Sequence, residues 1–270
     1  MKLFSVKNKK IVLTGATGVL GESITKHLAK EGAQVIILGR TASKIEKLVG
    51  EIRDSEGKAD GFLADVTMEN HVINAAEQIK KRYGNIDVLI NMAGGNMPEA
   101  VVTPLQTIED LSAEAMKKVM ELNYMGTFLP TKHLIPLMLP KEAGNIINIS
   151  SMAASRPMTR VAGYASAKAA IDNLTKWLAV ELNQKYGPDF RVNALAPGFF
   201  LTEQNRALLT ENDGNLSQRG QQIIDHTPMR RFGNPEDLLG TLQWLCSDAS
   251  KFVTGTVVAV DGGFSAYSGV

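Results

Sequence analysis

The sequence has little cysteine, no long apolar run and almost no net charge. A single thiol, Cys246, in 270 residues cannot form an internal disulfide, so nothing points to an oxidising compartment. The 29 basic residues are balanced by 28 acidic ones, for a net charge of +1. That balance gives no global electrostatic reason to bind nucleic acid or an anionic membrane. No stretch of about 18 apolar residues occurs, and the opening MKLFSVKNKKIVLTGATG has no long apolar segment before its first glycines. Neither a transmembrane helix nor a signal peptide is expected, and a cytoplasmic location is the default. Internal repeats, low-complexity tracts and Pro/Ser-rich linkers are also lacking, so residues 1–270 are expected to form one continuous domain. The expected partner is a small molecule, with no nucleic acid and no membrane.

Two kinds of chemistry lack their residues as well. No serine sits in a G-x-S-x-G turn, and Cys246 lies in an apolar helical pattern, so nucleophilic catalysis has no good candidate. His27, His71, His133 and His226 are scattered without carboxylate or cysteine partners at ligand spacing, so no metal is expected.

What the chain does have is 44% apolar residues against 21% charged ones, enough for a sizeable core. Short β-branched runs recur at 11–14, 34–38, 58–63, 88–91, 145–150, 191–195 and 257–260. Several do not alternate, as expected for strands covered on both faces. Between them, Leu20, Ile24 and Leu28 fall at helical spacing, as do Ile45, Leu48, Val49 and Ile52, and later Leu174, Leu178 and Leu182. The alternation predicts an α/β fold: one doubly wound parallel sheet of Rossmann type, with helices on both faces. Ligands of such a sheet bind at the carboxyl ends of its strands.

Directly after the first strand stands Thr14-Gly15-Ala16-Thr17-Gly18-Val19-Leu20-Gly21, and then a helical pattern begins. Glycines there let the backbone turn tightly and approach a pyrophosphate, while the helix N-terminus supplies N–H donors. The second strand ends Leu38-Gly39-Arg40. An acidic residue at that place would bind the ribose hydroxyls of NAD, whereas a nearby guanidinium accepts the 2′-phosphate of NADP. Gly39 occupies the acidic position and Arg40 follows it, which favours NADP(H) and leaves NAD(H) open.

Farther along, Asp65-Val66 closes the third strand, Asn91-Met92-Ala93-Gly94 the fourth, and Tyr164-Ala165-Ser166-Ala167-Lys168 opens a helix. In this order the motifs resemble the classical short-chain dehydrogenase/reductase family, from about Val6 to Gly263. The resemblance implies that Gly15, Gly18 and Gly21 line the cofactor diphosphate, that Asp65 contacts the adenine, and that Asn91 and Gly94 shape the cofactor pocket, with Thr17, Leu20, Val66 and Ala93 also counted among the cofactor-binding residues. It implies further that the backbone of Pro197-Gly198-Phe199-Phe200-Leu201-Thr202 binds the nicotinamide carboxamide, with Phe200 involved and Thr202 near the phosphate. A homotetramer is implied as well. One departure stands out. The family pattern TGxxxGxG puts its middle glycine at position 19, where this chain has Val19, with Gly18 before it.

Tyr164 and Lys168 lie four apart at a helix start, so their side chains share a face. A free tyrosine titrates near about pH 10, and a neighbouring ammonium favours the phenolate, which makes Tyr164 a candidate acid/base with Lys168 as its tuner and ribose ligand. Ser151 lies thirteen residues ahead of Tyr164, the family's separation, and its hydroxyl can donate to a substrate oxygen as charge develops. Asn123 matches the family's asparagine, which anchors a water on the proton path to lysine. A fold that only bound a dinucleotide would have no chemical need for Asn123, Ser151, Tyr164 and Lys168 together.

Substrate loops are expected at about 95–112 and 199–231. The second is polar, with Glu203, Gln204, Asn205 and Arg206, which suits a polyhydroxylated acid better than a steroid or acyl chain. Asn96 and Gln204 are candidate substrate contacts, and Arg156 or Arg160, close behind Ser151, is the candidate carboxylate ligand. Whole segments such as PGFFLTEQNR and GGFSAYSGV are similar to the D-mannonate oxidoreductase (fructuronate reductase) branch of the family. That implies interconversion of D-fructuronate and D-mannonate, with gluconate 5-dehydrogenase or another sugar or polyol dehydrogenase as the alternative.

Overall fold

The structure, a computed structural model, describes residues 2–202, 206, 208–211 and 213–269. Seven strands form one parallel sheet: β1 (Lys10–Thr14), β2 (Gln34–Gly39), β3 (Lys58–Leu63), β4 (Val88–Asn91), β5 (Gly144–Ile149), β6 (Phe190–Pro197) and β7 (Val257–Val260). Their order is β3-β2-β1-β4-β5-β6-β7, and the chain reverses direction across the sheet between β1 and β4. The seven apolar runs of the sequence are these strands, with ends shifted by at most two residues. Ser150, expected in β5, lies just past its end and still donates its N–H to the Leu195 carbonyl of β6 at 2.8 Å.

Each crossover is helical where the sequence has an apolar stripe. α1 (Val19–Lys30) buries Ile24 and Leu28, and α2 (Ala42–Asp54) buries Ile45, Leu48, Val49 and Ile52 against the same sheet face. α8 (Leu239–Cys246) completes that layer with Leu242, Leu245 and Cys246. On the opposite face, α3 (Glu69–Tyr83), α5 (Gly126–Leu134) and α6 (Ala162–Tyr186) cover Val12, Ile36, Leu89 and Ile146. Each fully buried aliphatic side chain contributes about 1.5–3 kcal/mol relative to exposure, which makes the two layers the main source of cohesion. In α6, Leu178 is buried while its neighbour Trp177 is 56% exposed, so packing explains the first and not the second.

Two smaller helices matter for the site. α4 (Ala113–Met120), capped by the Ser112 hydroxyl, runs into a π turn over Glu121–Met125. α7 (Gln218–His226), capped by Ser217, lies in the long segment between β6 and β7. No helix among the described residues is long and apolar enough to cross a membrane.

Candidate active site

The cleft opens where the chain direction reverses, at the carboxyl ends of β1 and β4, as expected for a doubly wound sheet. Thr14 Oγ1 accepts from the backbone N–H groups of Met92 and Ala93, both at 3.1 Å, and so ties the two strand ends together. Gly15 then turns with φ +66°, and a Cβ there would stand 2.7 Å from Ala93 N. Gly21 brings α1 down on this turn, since a Cβ on it would lie 2.3 Å from the Gly15 carbonyl oxygen. Gly18 is the N-cap of α1 and offers no side-chain cap, leaving the helix terminus available to an anion. Unlike its neighbours, Gly18 has ordinary dihedrals and nothing nearer than 3.5 Å to a would-be Cβ. The two glycines that geometry demands are therefore the first and last.

Thr17 and Leu20 line the same wall as the glycines. Arg40 is exposed at the cleft's edge beyond Gly39, and Asp65 and Val66 face it. Burial pushes the Asp65 carboxyl up, but the Thr67 backbone N–H (3.0 Å) and hydroxyl (2.8 Å), helped by Arg40, outweigh it and hold the group below its ordinary value. Ala93, Gly94 and Thr202 line the remainder. This backbone cradle, closed to any Cβ at Gly15 and Gly21, fits a dinucleotide.

Four of the expected cofactor residues, Asn91, Pro197, Gly198 and Phe200, are not among those lining this cleft. Asn91 is buried beneath the cleft, where its amide donates to Thr131 Oγ1 and Asn148 Oδ1, both at 2.9 Å. Asn148 continues this polar chain to Thr175, so Asn91 supports the floor of the pocket without facing it. Gly198 answers to packing: a Cβ on it would stand 2.7 Å from Asp261 Cα, at the turn after β7. Pro197, at the end of β6, and the Phe200 ring are buried, the ring in the layer with Leu238 and Leu242.

Tyr164 and Lys168 project from the first turns of α6, with Lys168 Nζ 5.6 Å from the centroid of the Tyr164 ring. Lys168 is buried and donates to the Ile149 carbonyl at 2.6 Å. Burial pulls its ammonium down to about 8, against the opposing pull of Asp172. Burial raises the Tyr164 phenol, and a hydrogen bond with Ser151 partly offsets this. Ser151 is held by its own turn, its hydroxyl accepting from Ala153 N at 3.2 Å.

Asn123 occupies the middle of the π turn, a feature that reaims one side chain within a helix. Fully buried, it accepts from Gly95 N at 3.1 Å and donates to Gly95 O at 2.7 Å and Val119 O at 2.8 Å. A Cβ at Gly94 would lie 2.6 Å from Asn123 Oδ1 and 3.3 Å from Lys168 Nζ. The strand-end glycine, the asparagine and the lysine thus share one crowded corner. These groups can hold a carbonyl oxygen, exchange a proton with it and restore that proton from beneath.

The candidate substrate residues separate. Asn96 is exposed in its loop, and Gln204 lies outside the described residues. Arg156 donates to the Ser265 carbonyl and so anchors the C-terminal tail. Arg160 is half-buried, its carbonyl accepting from Val102 N at 3.0 Å. Sequence reasoning missed Arg219, whose place beside Thr159 depends on how α7 docks, and Asp172, one turn beyond Lys168 on the same face. Among the described residues no three His, Cys, Asp or Glu side chains gather as metal ligands. Burial drives the Cys246 thiol up to about 12, so it is chemically quiet at neutral pH.

The geometry has counterparts among known proteins. The model of the short chain dehydrogenase family matches residues 9–213. The uncharacterised oxidoreductase UxuB of Bacillus subtilis (strain 168) is 44% identical over 276 aligned positions, covering 98% of each chain. A solved structure from Haemophilus influenza, provisionally assigned as a D-mannonate oxidoreductase and containing NAD, gives a TM-score of 0.92 at 42% identity over 98% of both chains. A gluconate 5-dehydrogenase from Burkholderia cenocepacia, in complex with NADP and tartrate, gives a TM-score of 0.86 at 30% identity, again over 98% of both. The chain thus belongs to the short-chain dehydrogenase family, and it is a nicotinamide-dependent oxidoreductase.

Proposed function

We propose that this oxidoreductase interconverts a six-carbon keto acid and its hydroxy acid, D-fructuronate and D-mannonate, with NADP(H) preferred and NAD(H) accepted. The observation that carries the reading is the full-length similarity, at 42% identity, to the chain assigned as a D-mannonate oxidoreductase. The half-buried basic residue Arg160 and the polar segment after β6 support an acidic, hydroxylated substrate, which enters between the loops at 95–112 and 199–231. Arg40 beside Gly39 supports the 2′-phosphate of NADP(H), while the NAD held by that Haemophilus chain supports acceptance of NAD(H).

When bound, the dihydronicotinamide supplies a hydride to the carbonyl carbon. Tyr164 gives its phenolic proton to the carbonyl oxygen as that oxygen gains charge, and Ser151 donates a hydrogen bond to the same atom. Lys168, cationic below about pH 8, stabilises the resulting phenolate and returns a proton to it. Asn123 positions a water on the path from Lys168 to solvent. In the oxidative direction each proton moves the other way.

Replacing Tyr164 by Phe removes the proton and leaves the cleft walls in place. Steady-state turnover of Tyr164→Phe is expected to fall about 10²- to 10⁴-fold, with NADPH binding, read by fluorescence titration, retained. Turnover equal to that of the parent would defeat the mechanism.

A further inference from the structure

Arg219 reaches the residue next to Arg160 where the segment after β6 packs on the loop ahead of α6, and among the described residues no carboxylate pairs with either arginine. Arg219, the second residue of α7, brings Nη1 to 3.4 Å from the hydroxyl of Thr159, the neighbour of Arg160. Arg160 holds φ +76°, a left-handed backbone that arginine seldom adopts, and its carbonyl is pinned by Val102 N. Both side chains are half-buried. Burial, and then the nearness of Arg160, depress the proton affinity of Arg219 below the ordinary arginine value.

The other basic residues of these loops are accounted for. Arg156 is bonded to the Ser265 carbonyl, Arg230 pairs with Asp225, and Arg231 pairs with Asp237. Arg206 is exposed, and the 95–112 loop contains no lysine or arginine. Among the described residues, neither Arg160 nor Arg219 has an ion-pair partner. Like charges brought together and half withdrawn from water are unfavourable unless an anion joins them.

We propose that Arg160 and Arg219 together form the clamp for the substrate's carboxylate, at the end of the molecule opposite the carbonyl that Tyr164 protonates. The clamp rests on the sugar-acid reading given above. Arg160 precedes Tyr164 by four residues, so the carboxylate subsite is attached to the element that carries the acid/base. Planar forks from two separate elements can hold both oxygens of one carboxylate. The clamp also makes α7 a substrate-binding element and gives the exposed Asn96 no part in charge recognition.

The test compares the full-length parent with Arg219→Met, Arg219→Lys and Arg160→Asn, the last chosen because asparagine tolerates left-handed backbone. Each is assayed with D-fructuronate and with the neutral ketose D-fructose. The Met and Asn variants are expected to lose 10- to 100-fold in kcat/KM for the acid, the loss falling mainly on KM, so that preference for acid over neutral substrate collapses. Arg219→Lys keeps the charge and is expected to recover part of the loss. A preference unchanged in both Met and Asn variants, with the parent active on fructuronate, overturns the clamp and leaves the sugar-acid reading standing. As a second readout, tartrate, a small dicarboxylate, is expected to raise the melting temperature of the parent and not of these two variants. Loss of that protection in a protein inactive on both uronate and gluconate substrates leaves a carboxylate site at the two arginines but overturns its assignment to a sugar-acid substrate. Protection equal in parent and variants, or absent from the parent, overturns the clamp.

Discussion

Burial holds the Lys168 ammonium at about 8, well under the ordinary lysine value of 10.5, with only Asp172 opposing. The same burial that makes the charge available to Tyr164 therefore costs folding stability wherever Lys168 is charged. Between about pH 8 and 10.5 the unfolded chain binds more protons at this position than the folded one, so stability rises with pH across that window. The full effect is on the order of 3 kcal/mol. Melting curves of the cofactor-free parent and Lys168→Met, recorded from pH 7 to 10, are expected to show the parent gaining on the variant as pH rises. A parent that loses ground would contradict this assignment of charge. Tyr164 acts in the opposite sense and only at higher pH, because its raised phenol stays protonated where the unfolded chain begins to ionise. At this scale the candidate catalytic residues stand out in the sequence by type and spacing, and the structure brings Asn123, Ser151, Tyr164 and Lys168 together. Asn91 and Arg156 were not: nothing in their local sequence reveals that one joins a buried amide chain and the other holds the tail.

Among the elements, the turn from β1 to α1 shows which parts of a motif are steric and which are permissive. Gly21 and Gly94 allow no Cβ without a clash against backbone in one case and against Asn123 in the other, whereas a Cβ on Gly18 would make only an ordinary contact, 3.5 Å from the Gly15 carbonyl oxygen, and its dihedrals are ordinary. Gly21→Ala and Gly94→Ala are expected to lower the melting temperature and cut turnover by at least tenfold. Gly18→Ala is expected to cost about 1 kcal/mol or less, the difference between glycine and alanine at an N-cap. Equal melting temperatures for Gly18→Ala and Gly21→Ala would contradict this division of roles. The strands could be read from the sequence because buried parallel strands are continuous apolar runs, and helices α1 and α2 because their stripes repeat at 3.6 residues. The docking of α7 could not. The sequence reading expected only a substrate loop over 199–231, so the helix and the placement of Arg219 beside Thr159 emerge only from tertiary structure.

Over the whole molecule, a nearly neutral chain places the positive charge that the proposed function draws on at a few positions. Arg40 stands at the outer end of the cofactor cleft, Lys168 beneath the reacting centre, and Arg160 with Arg219 at the seam of the substrate loops. The reversal of chain direction between β1 and β4 explains why residues as far apart as Gly15, Gly94 and Thr202 line one cleft. The central claim is a hydride transfer to a six-carbon keto acid. It is tested most directly by measuring kcat/KM of the purified protein for D-fructuronate, D-tagaturonate and 5-keto-D-gluconate, each with NADPH and with NADH, from the loss of reduced-nicotinamide absorbance. The account predicts the highest value for D-fructuronate with NADPH, and lower but measurable turnover with NADH. Turnover of D-fructuronate below that of both other keto acids would contradict it.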